Sequence, residues 1–502
     1  MVVSGVVGFV MRNSLVVLCL SGLLVLSAPL SAFHEDGFDR DDFVGPIDHS
    51  IGENSNIPGQ EQAEQPVNDD KPQTIQSPLI TPPANSGENT AAKTASDQTI
   101  AKSSLISNNK KTSDVTDSLF GGAFSVGGYV QVDIDKVDQQ SVLPSGDPQQ
   151  PFQALTTSLD SEVNARRARL TLDTDHGLFS AKLSLDAADQ VELKDAFVDF
   201  ALNDYFHIAL GQFKVPVGNQ SQAYARYGMF MEPTPIQLWM SGQRDRGLLI
   251  HNDYTRHGYY YGVGFINGVA ENEADNNNKM DLIGRFILNS NSQDGRWKTW
   301  FGASYQNGTQ TAGSNDEIIL LSPLSGDQLF LFDILDSLEY RRERFGLDAV
   351  VQSGRFIFTG EYLRDVLNLN QPVFIDGGQF SVGAFVTKGE HVINNGLIDG
   401  QKINGSVGGV ELAIRMSWFK VDDIFFNPAV VLFDGQGAAV PGIENMQTGG
   451  SMAFAINWYI NQRHRVSLNY ISSQMESVLF PDQEERTYIN ESAVMLRVQS
   501  SF

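Results

Sequence analysis

Between Asn490 and Phe502 the chain alternates residue by residue between two chemical classes. Val494, Leu496, Val498 and Phe502 fall on one side, and Glu491, Arg497, Gln499 and Ser501 on the other. Side chains of a β-strand point alternately to opposite faces, so this segment reads as a strand with one apolar and one wet face. The pattern recurs back to about residue 120. Phe179, Ala181, Leu183 and Leu185 alternate with Ser180, Lys182, Ser184 and Asp186, and Ala168, Leu170 and Leu172 alternate with Arg167, Arg169 and Thr171. A soluble sandwich could carry the same alternation. It would need neither an export signal nor rings banded at strand ends, and Tyr259, Tyr261, Trp418, Tyr470 and Phe502 stand where a membrane interface favours amphipathic aromatics. Together these features predict an all-β transmembrane antiparallel up-and-down barrel of the bacterial outer membrane, with lipid on its apolar outside and charges in its lumen.

The export signal is the first element. Met11-Arg12-Asn13 is a short basic start, Leu15 to Leu26 is uncharged and apolar, and Leu30-Ser31-Ala32 supplies small residues for cleavage. Residues 1–32 are therefore expected to be a signal peptide, with the mature chain beginning near Phe33 and residues 1–10 preceding a more usual start at Met11. The apolar run is shorter than the roughly 20 residues of a spanning helix. Cys19, the sole cysteine, lies inside this signal, where Val16-Val17-Leu18 lacks the small residues of a lipidation motif. Disulfide and thiol chemistry are thus not expected in the mature chain.

Residues 33–118 are polar and acidic, rich in Asp, Glu, Asn, Gln, Ser, Thr and Pro, with few aromatics. Such a composition cannot bury enough apolar surface to offset chain entropy, so a disordered periplasmic tail is expected, a solvated tether or a docking arm for cell wall or a periplasmic partner. The barrel domain is expected over 119–502. Strands are read near 124–137, 163–173, 177–187, 193–202, 205–213, 245–253, 257–267, 279–289, 296–306, 339–351, 354–365, 377–388, 407–418, 448–460, 462–473 and 489–502, about sixteen, an even number as single-chain bacterial barrels require. Short joints at 175–177, 353–354 and 461 suit periplasmic turns, whereas 138–162, 214–244, 307–338, 419–447 and 474–488 suit long external or inward-folded loops. A barrel of this size is too wide for its own side chains to fill, so a water-filled channel is expected.

Several stretches resemble one family. SEVNARRARLTLDTDHGLFSAKLSLD, LKDAFVDFALNDYFHIALGQFKVPVG, SGQRDRGLLIHNDY and GVGFINGV, then the aromatic-glycine strand before VTKGEH, GGVELAIRMSW and AINWYINQRHRVSLNYISS, are similar in order and spacing to the phosphate-selective porins O and P. The resemblance covers nearly all of 120–502 and implies homotrimers of sixteen-stranded barrels whose third external loop folds into the pore. Its Arg-rich second strand corresponds to Arg166, Arg167 and Arg169, and its lead-in to the constricting loop to Gly211, Gln212, Phe213, Lys214 and Pro216. The loop would span about 214–244, with Lys214, Arg226, Arg244 and Arg246 as candidate anion contacts and Glu232 and Asp245 as counter-charges. Guanidinium groups in a narrow wet passage replace part of an anion's hydration through forked hydrogen bonds. The alternative for each is an ion pair that fastens the loop to the wall.

Two departures keep other readings open. The family's Pro-Phe-Gly-Leu-Glu continuation reads Pro216-Val217-Gly218-Asn219-Gln220, and the chain carries a net charge of -25. Acidic surface outside the constriction would be solvated or bridged by divalent cations to lipopolysaccharide. The expectation is passive diffusion of small hydrophilic solutes, phosphate or other anions first. A general or cation-preferring porin, or a plugged structural or adhesive barrel, are the alternatives.

Catalysis and cofactors are not expected. Metalloprotease, serine-hydrolase and P-loop motifs are missing, and the eight histidines lack metal-ligand spacing, His251 and His257 flanking a turn. Gly262-Val263-Gly264 with Gly268 opens no helix and reads as strand glycine. A basic surface interleaved with aromatics, as nucleic acid would need, is also lacking.

Overall fold

A computed structural model describes residues 14–19, 24–29 and, within 124–502, all but 148–149, 224, 241–243, 254–257, 293–294, 313–316, 334–337, 427–445 and 478–487. Of the expected signal at 1–32, Ser14–Cys19 (β1) and Leu24–Pro29 (β2) pair antiparallel with each other. The rest of it, and the tail expected at 33–118, lie outside the described residues.

Sixteen antiparallel strands close into a barrel. In chain order they begin with β3 (Phe124–Asp147), β4 (Gln150–His176), β5 (Phe179–Asp186), β6 (Glu192–Asn203), β7 (Phe206–Lys214), β8 (Arg244–His251), β9 (Tyr259–Ile266), β10 (Asp281–Asn291) and β11 (Lys298–Thr311). A separate hairpin, β12 (Glu317–Leu321) with β13 (Gln328–Asp333), precedes β14 (Glu339–Ser353), β15 (Phe356–Asn368) and β16 (Pro372–Phe385). A second one, β17 (Gly389–Asn394) with β18 (Leu397–Ile403), precedes β19 (Gly409–Val421), β20 (Thr448–Tyr459), β21 (His464–Glu476) and β22 (Tyr488–Ser501). Pairing of β22 with β3 closes the cylinder, down to Ser501 opposite Tyr129.

The strands are inside out relative to a soluble protein. Phe265, Phe286, Phe301, Leu347, Ile414, Phe454, Val494 and Val498 point outward and are about half exposed, whereas the alternating partners Asp133, Asn457, Ser467, Asn469 and Arg497 are buried. An acyl-chain solvent explains the first set, because burying an outward polar group in hydrocarbon costs several kcal/mol. Polar side chains inside the cylinder find one another instead.

Three connections differ from the sequence reading. The stretch 138–162 is not a loop, since β3 and β4 continue their ladder to Asp147 opposite Gln150. An extended hairpin outside the bilayer has no greasy face to show, so its alternation is invisible. The stretch 307–338 contains the β12–β13 hairpin, and 386–408 contains the β17–β18 hairpin at the end of the barrel where all other described connections are short.

Candidate functional site

The connection from β7 to β8 leaves the wall and reaches the far side of the lumen. Its departure needs Gly211, whose φ of +131° is a region that L side chains rarely adopt; a Cβ there would come within 2.2 Å of the Ala196 carbonyl oxygen. Lys214 then donates to the carbonyls of Ser221, Gln222 and Ala223 at 2.9, 3.2 and 2.8 Å, folding the first loop turn back over its own base. Across the lumen, Glu361 of β15 accepts the backbone N–H groups of Asn219 and Gln220 and the side-chain amide of Gln237. Gly218 again has positive φ, +76°, and its N–H donates to Ser304 Oγ of β11 at 3.1 Å. Two of the departures from the family pattern, Asn219 and Gln220, thus moor this end together with the matching Gly218. A short helix, Pro235–Met240, returns along the same wall with Ile236 against Gly377, and Trp239 Nε1 donates to Asp365 at 3.0 Å.

Residues 226–232 are fastened to the opposite wall through their backbone. Gln499 donates to the carbonyl of Arg226, Arg465 to Gly228, Asn457 to Met229, Arg497 to Met231 and Arg415 to Glu232, at 2.8–3.2 Å, while Asn469 Oδ1 accepts Met231 N–H at 2.9 Å. Six side chains from β19 to β22 therefore hold one seven-residue run. The Glu232 carboxylate completes it, accepting from Arg166 at 3.3 and 3.0 Å and from Arg497 at 3.3 Å. Strict alternation would aim Arg166 at lipid. A register shift between Gln131 and Val132 leaves Arg166 without a cross-strand partner and turns it inward.

The residues singled out from sequence divide by task. Arg167 donates to Gln131 at 3.0 Å and lies among the like charges of Arg166 and Arg497. Arg169 is tied to Asp186 at 2.6 Å, and Arg244 to Asp195 at 2.7 Å, both as wall ion pairs. Lys214 is occupied by loop carbonyls. Arg226 is buried, with its guanidinium 4.6 Å from the Tyr227 ring centroid and 5.9 Å from that of Tyr129. Arg246 is exposed and shares the parity of the outward Leu248, whereas its neighbour Asp245 is buried and accepts the Gly268 N–H at 2.7 Å. An outward side chain at the top of β8 cannot line the passage, so Arg246 is corrected to the outer rim.

The sequence reading missed Arg415 and Arg465. Among the described residues neither has a carboxylate at ion-pair distance, and each leaves its Nε without a hydrogen-bond partner. Arg415 stacks 4.7 Å from the Phe230 ring centroid and Arg465 5.7 Å from that of Tyr459. Their inward parity, beside Ile414 and Leu468 facing out, was the available signal.

From the other end of the barrel the β17–β18 hairpin meets this loop. Asn219 Nδ2 donates to the Gly396 carbonyl at 2.9 Å, and Gln401 Nε2 to the Tyr227 carbonyl at 3.3 Å. Ile398 packs in one cluster with Met229, Trp300, Val350 and Ile357, and His391 Nε2 lies 2.6 Å from Glu411. On this hairpin, burial pushes the Asp399 carboxyl above its usual value, with Arg226 and Asn394 opposing the shift.

A family model described as "Phosphate-selective porin O and P" matches residues 146–502. Curated proteins give no match. Among solved structures, the anion-selective porin from Comamonas acidovorans is 12% identical, with 76% of this chain and 99% of that chain covered at a TM-score of 0.46. OprB of Pseudomonas putida is 10% identical, covering 77% and 96% at 0.46, and the channel DcaP of Acinetobacter baumannii is 11% identical, covering 76% and 98% at 0.45.

Proposed function

Because this chain belongs to the phosphate-selective porin O and P family, and so to the outer-membrane porins that pass small solutes by diffusion, we propose that its passage favours anions, inorganic phosphate among them. The supporting observation is the group of guanidiniums around residues 226–232, of which Arg415 and Arg465 have no carboxylate partner among the described residues. Positive charge between low-dielectric walls focuses its field into the water they enclose, even where the guanidinium itself is covered. The loop over 214–244 acts as the constriction. Arg166, Arg167 and Arg226 are the groups nearest to the permeating ion, while Lys214, Arg169, Arg244 and Glu232 keep the loop and wall in shape.

The same reading places the mature barrel as a homotrimer, as the family resemblance implies. It is exported by residues 1–32, tethered through 33–118 to a periplasmic partner, and set in lipid and lipopolysaccharide. Its work is conduction, without catalysis or cofactor. Planar-bilayer recording in a salt gradient, with and without phosphate, tests it. The expected result is stable conductance steps with a reversal potential of anionic sign, and a chloride current reduced by phosphate. A silent folded barrel, or cation preference, would overturn it, as would an Arg226→Ala/Arg244→Ala variant with unaltered preference.

A further inference from the structure

Away from the constriction, toward the short-turn end, three side chains of different strands converge inside the barrel. Asp199 of β6, His207 of β7 and His251 of β8 are all buried, and one ligand atom from each lies within 4.8 Å of the others. Register produces the convergence. His207 and His251 are directly opposed on neighbouring strands, and Asp199 stands opposite Ala209, two residues from His207 on the same face.

The hydrogen-bonding roles do not close around a neutral His251. His251 Nδ1 is 3.2 Å from the Asn252 carbonyl oxygen, and its Nε2 is 3.2 Å from Asp199 Oδ1. Both neighbours are acceptors, whereas a neutral imidazole has only one N–H to donate. If Nδ1–H goes to the carbonyl, Nε2 meets the carboxylate either as the second N–H of an imidazolium or through a metal ion held between them. His207 Nδ1 adds a second nitrogen 3.4 Å from Asp199 Oδ2. Metal bonds of about 2.0–2.1 Å at tetrahedral angles put neighbouring ligand atoms about 3.3 Å apart; here each nitrogen lies at 3.2 or 3.4 Å from a different oxygen of Asp199, so an ion reaching both rings would take the carboxylate through both oxygens or draw it round to one. The carbonyl on the far nitrogen of His251 is also the usual outer-shell partner that orients a ligating ring.

We propose that Asp199, His207 and His251 form a binding site for a borderline divalent transition metal, Zn2+ in the first place, with a fourth position for water. Two imidazoles and one carboxylate suit zinc, cobalt or nickel better than the hard ions magnesium and calcium, which prefer all-oxygen sets. The ion would clamp β6, β7 and β8 to one another near the end of the lumen. It is independent of anion selection.

The test uses the full mature chain refolded in detergent, stripped with chelator and titrated with Zn2+. The expected result is one ion per chain, with affinity falling roughly a hundredfold in His207→Ala and in His251→Ala. In the Co2+-loaded wild type, visible absorption of tetrahedral type and an X-ray absorption signature of two imidazoles are expected, so misfolding of a variant would not hide the answer. A wild-type chain that takes up no Zn2+, or one whose Co2+ shows no histidine coordination, overturns the proposal. Undiminished binding in the double variant does the same.

Discussion

Glu232→Gln separates the two roles of the constriction, because it removes a counter-charge while the loop's backbone moorings stay. In the wild type Glu232 neutralises Arg166, whose side chain is 44% exposed, and shares Arg497 with Asp133. Arg497 keeps its fork to Asp133 at 2.7 and 2.6 Å in the variant, so the uncovered charge is that of Arg166. A unit charge about 7 Å from a permeating ion in water is worth about 0.6 kcal/mol. An anion gains this and a cation loses it, so the permeability ratio shifts by about 1.2 kcal/mol, nearly tenfold, without screening. At 0.1 M salt the Debye length of about 10 Å halves the interaction and leaves about a threefold shift toward anions, whereas at 1 M, with about 3 Å, almost nothing remains. Low-dielectric walls raise these figures, so threefold is a floor. The assay is the reversal potential in bilayers at low and high mean salt, with single-channel amplitude as the control for an intact loop. An unshifted ratio at 0.1 M, or a shift of the same size at 1 M, would refute the placement of Arg166 at the ion's path.

Removing the carboxylate-free donors together, as Arg415→Ala/Arg465→Ala, leaves the Glu232 and Gly228 carbonyls unmet at a cost of about 1.5–3 kcal/mol each. Noisier current, weaker anion preference and new protease cleavage within 226–232 are expected, and quiet wild-type records would contradict the mooring. For Asp399 the raised carboxyl means that the folded state holds a proton the unfolded chain has lost, so stability falls as pH rises from the usual value of 3.8 through the raised one. Asp399→Asn should therefore match the wild type in acid and exceed it at neutral pH in detergent unfolding, and a variant less stable at pH 7 would show that Arg226 outweighs burial. Arg246→Gln, at the outer rim, should leave reversal potential and conductance unchanged, and any loss of anion preference would return that side chain to the passage.

The outer face was legible because one solvent dictates it. Outward positions that meet acyl chains must be apolar, so the period survives without knowledge of partners, and strand positions followed to within a few residues outside β3 and β4. The inner face was not, since each polar residue there serves a partner remote in sequence. Glu361 reads as one acidic residue in a strand until it meets Asn219 and Gln237, and Asn457 gives no hint of the Met229 carbonyl. Arg166 was recognisable as part of an Arg-rich strand, yet its inward aim depends on a bulge set by β3. The lead-in Gly211-Gln212-Phe213-Lys214 was legible from the family resemblance alone, and the structure supplies a reason for two of its residues, the positive φ of Gly211 and the carbonyls around Lys214. Asp199, His207 and His251 have no motif spacing at all. Their relation exists only in the register.

The acidity of the whole chain then says little about what the passage selects. Around residues 226–232 six guanidiniums, Arg166, Arg167, Arg226, Arg415, Arg465 and Arg497, face five carboxylates, Asp133, Asp135, Glu232, Asp399 and Glu411, against -25 overall. Glu411 also lies 2.6 Å from His391 Nε2. A balance this close makes selectivity a matter of position. The carboxylates Asp133 and Glu411 are buried behind Arg497, His391 and Tyr459, while Arg166 and Arg167 stay partly open to water. On the proposed reading a permeating ion meets guanidinium before carboxylate. It follows that anion preference should weaken steeply as salt rises even in the unaltered chain. A preference that persisted at 1 M would have to arise from direct, dehydrated contact with these guanidiniums.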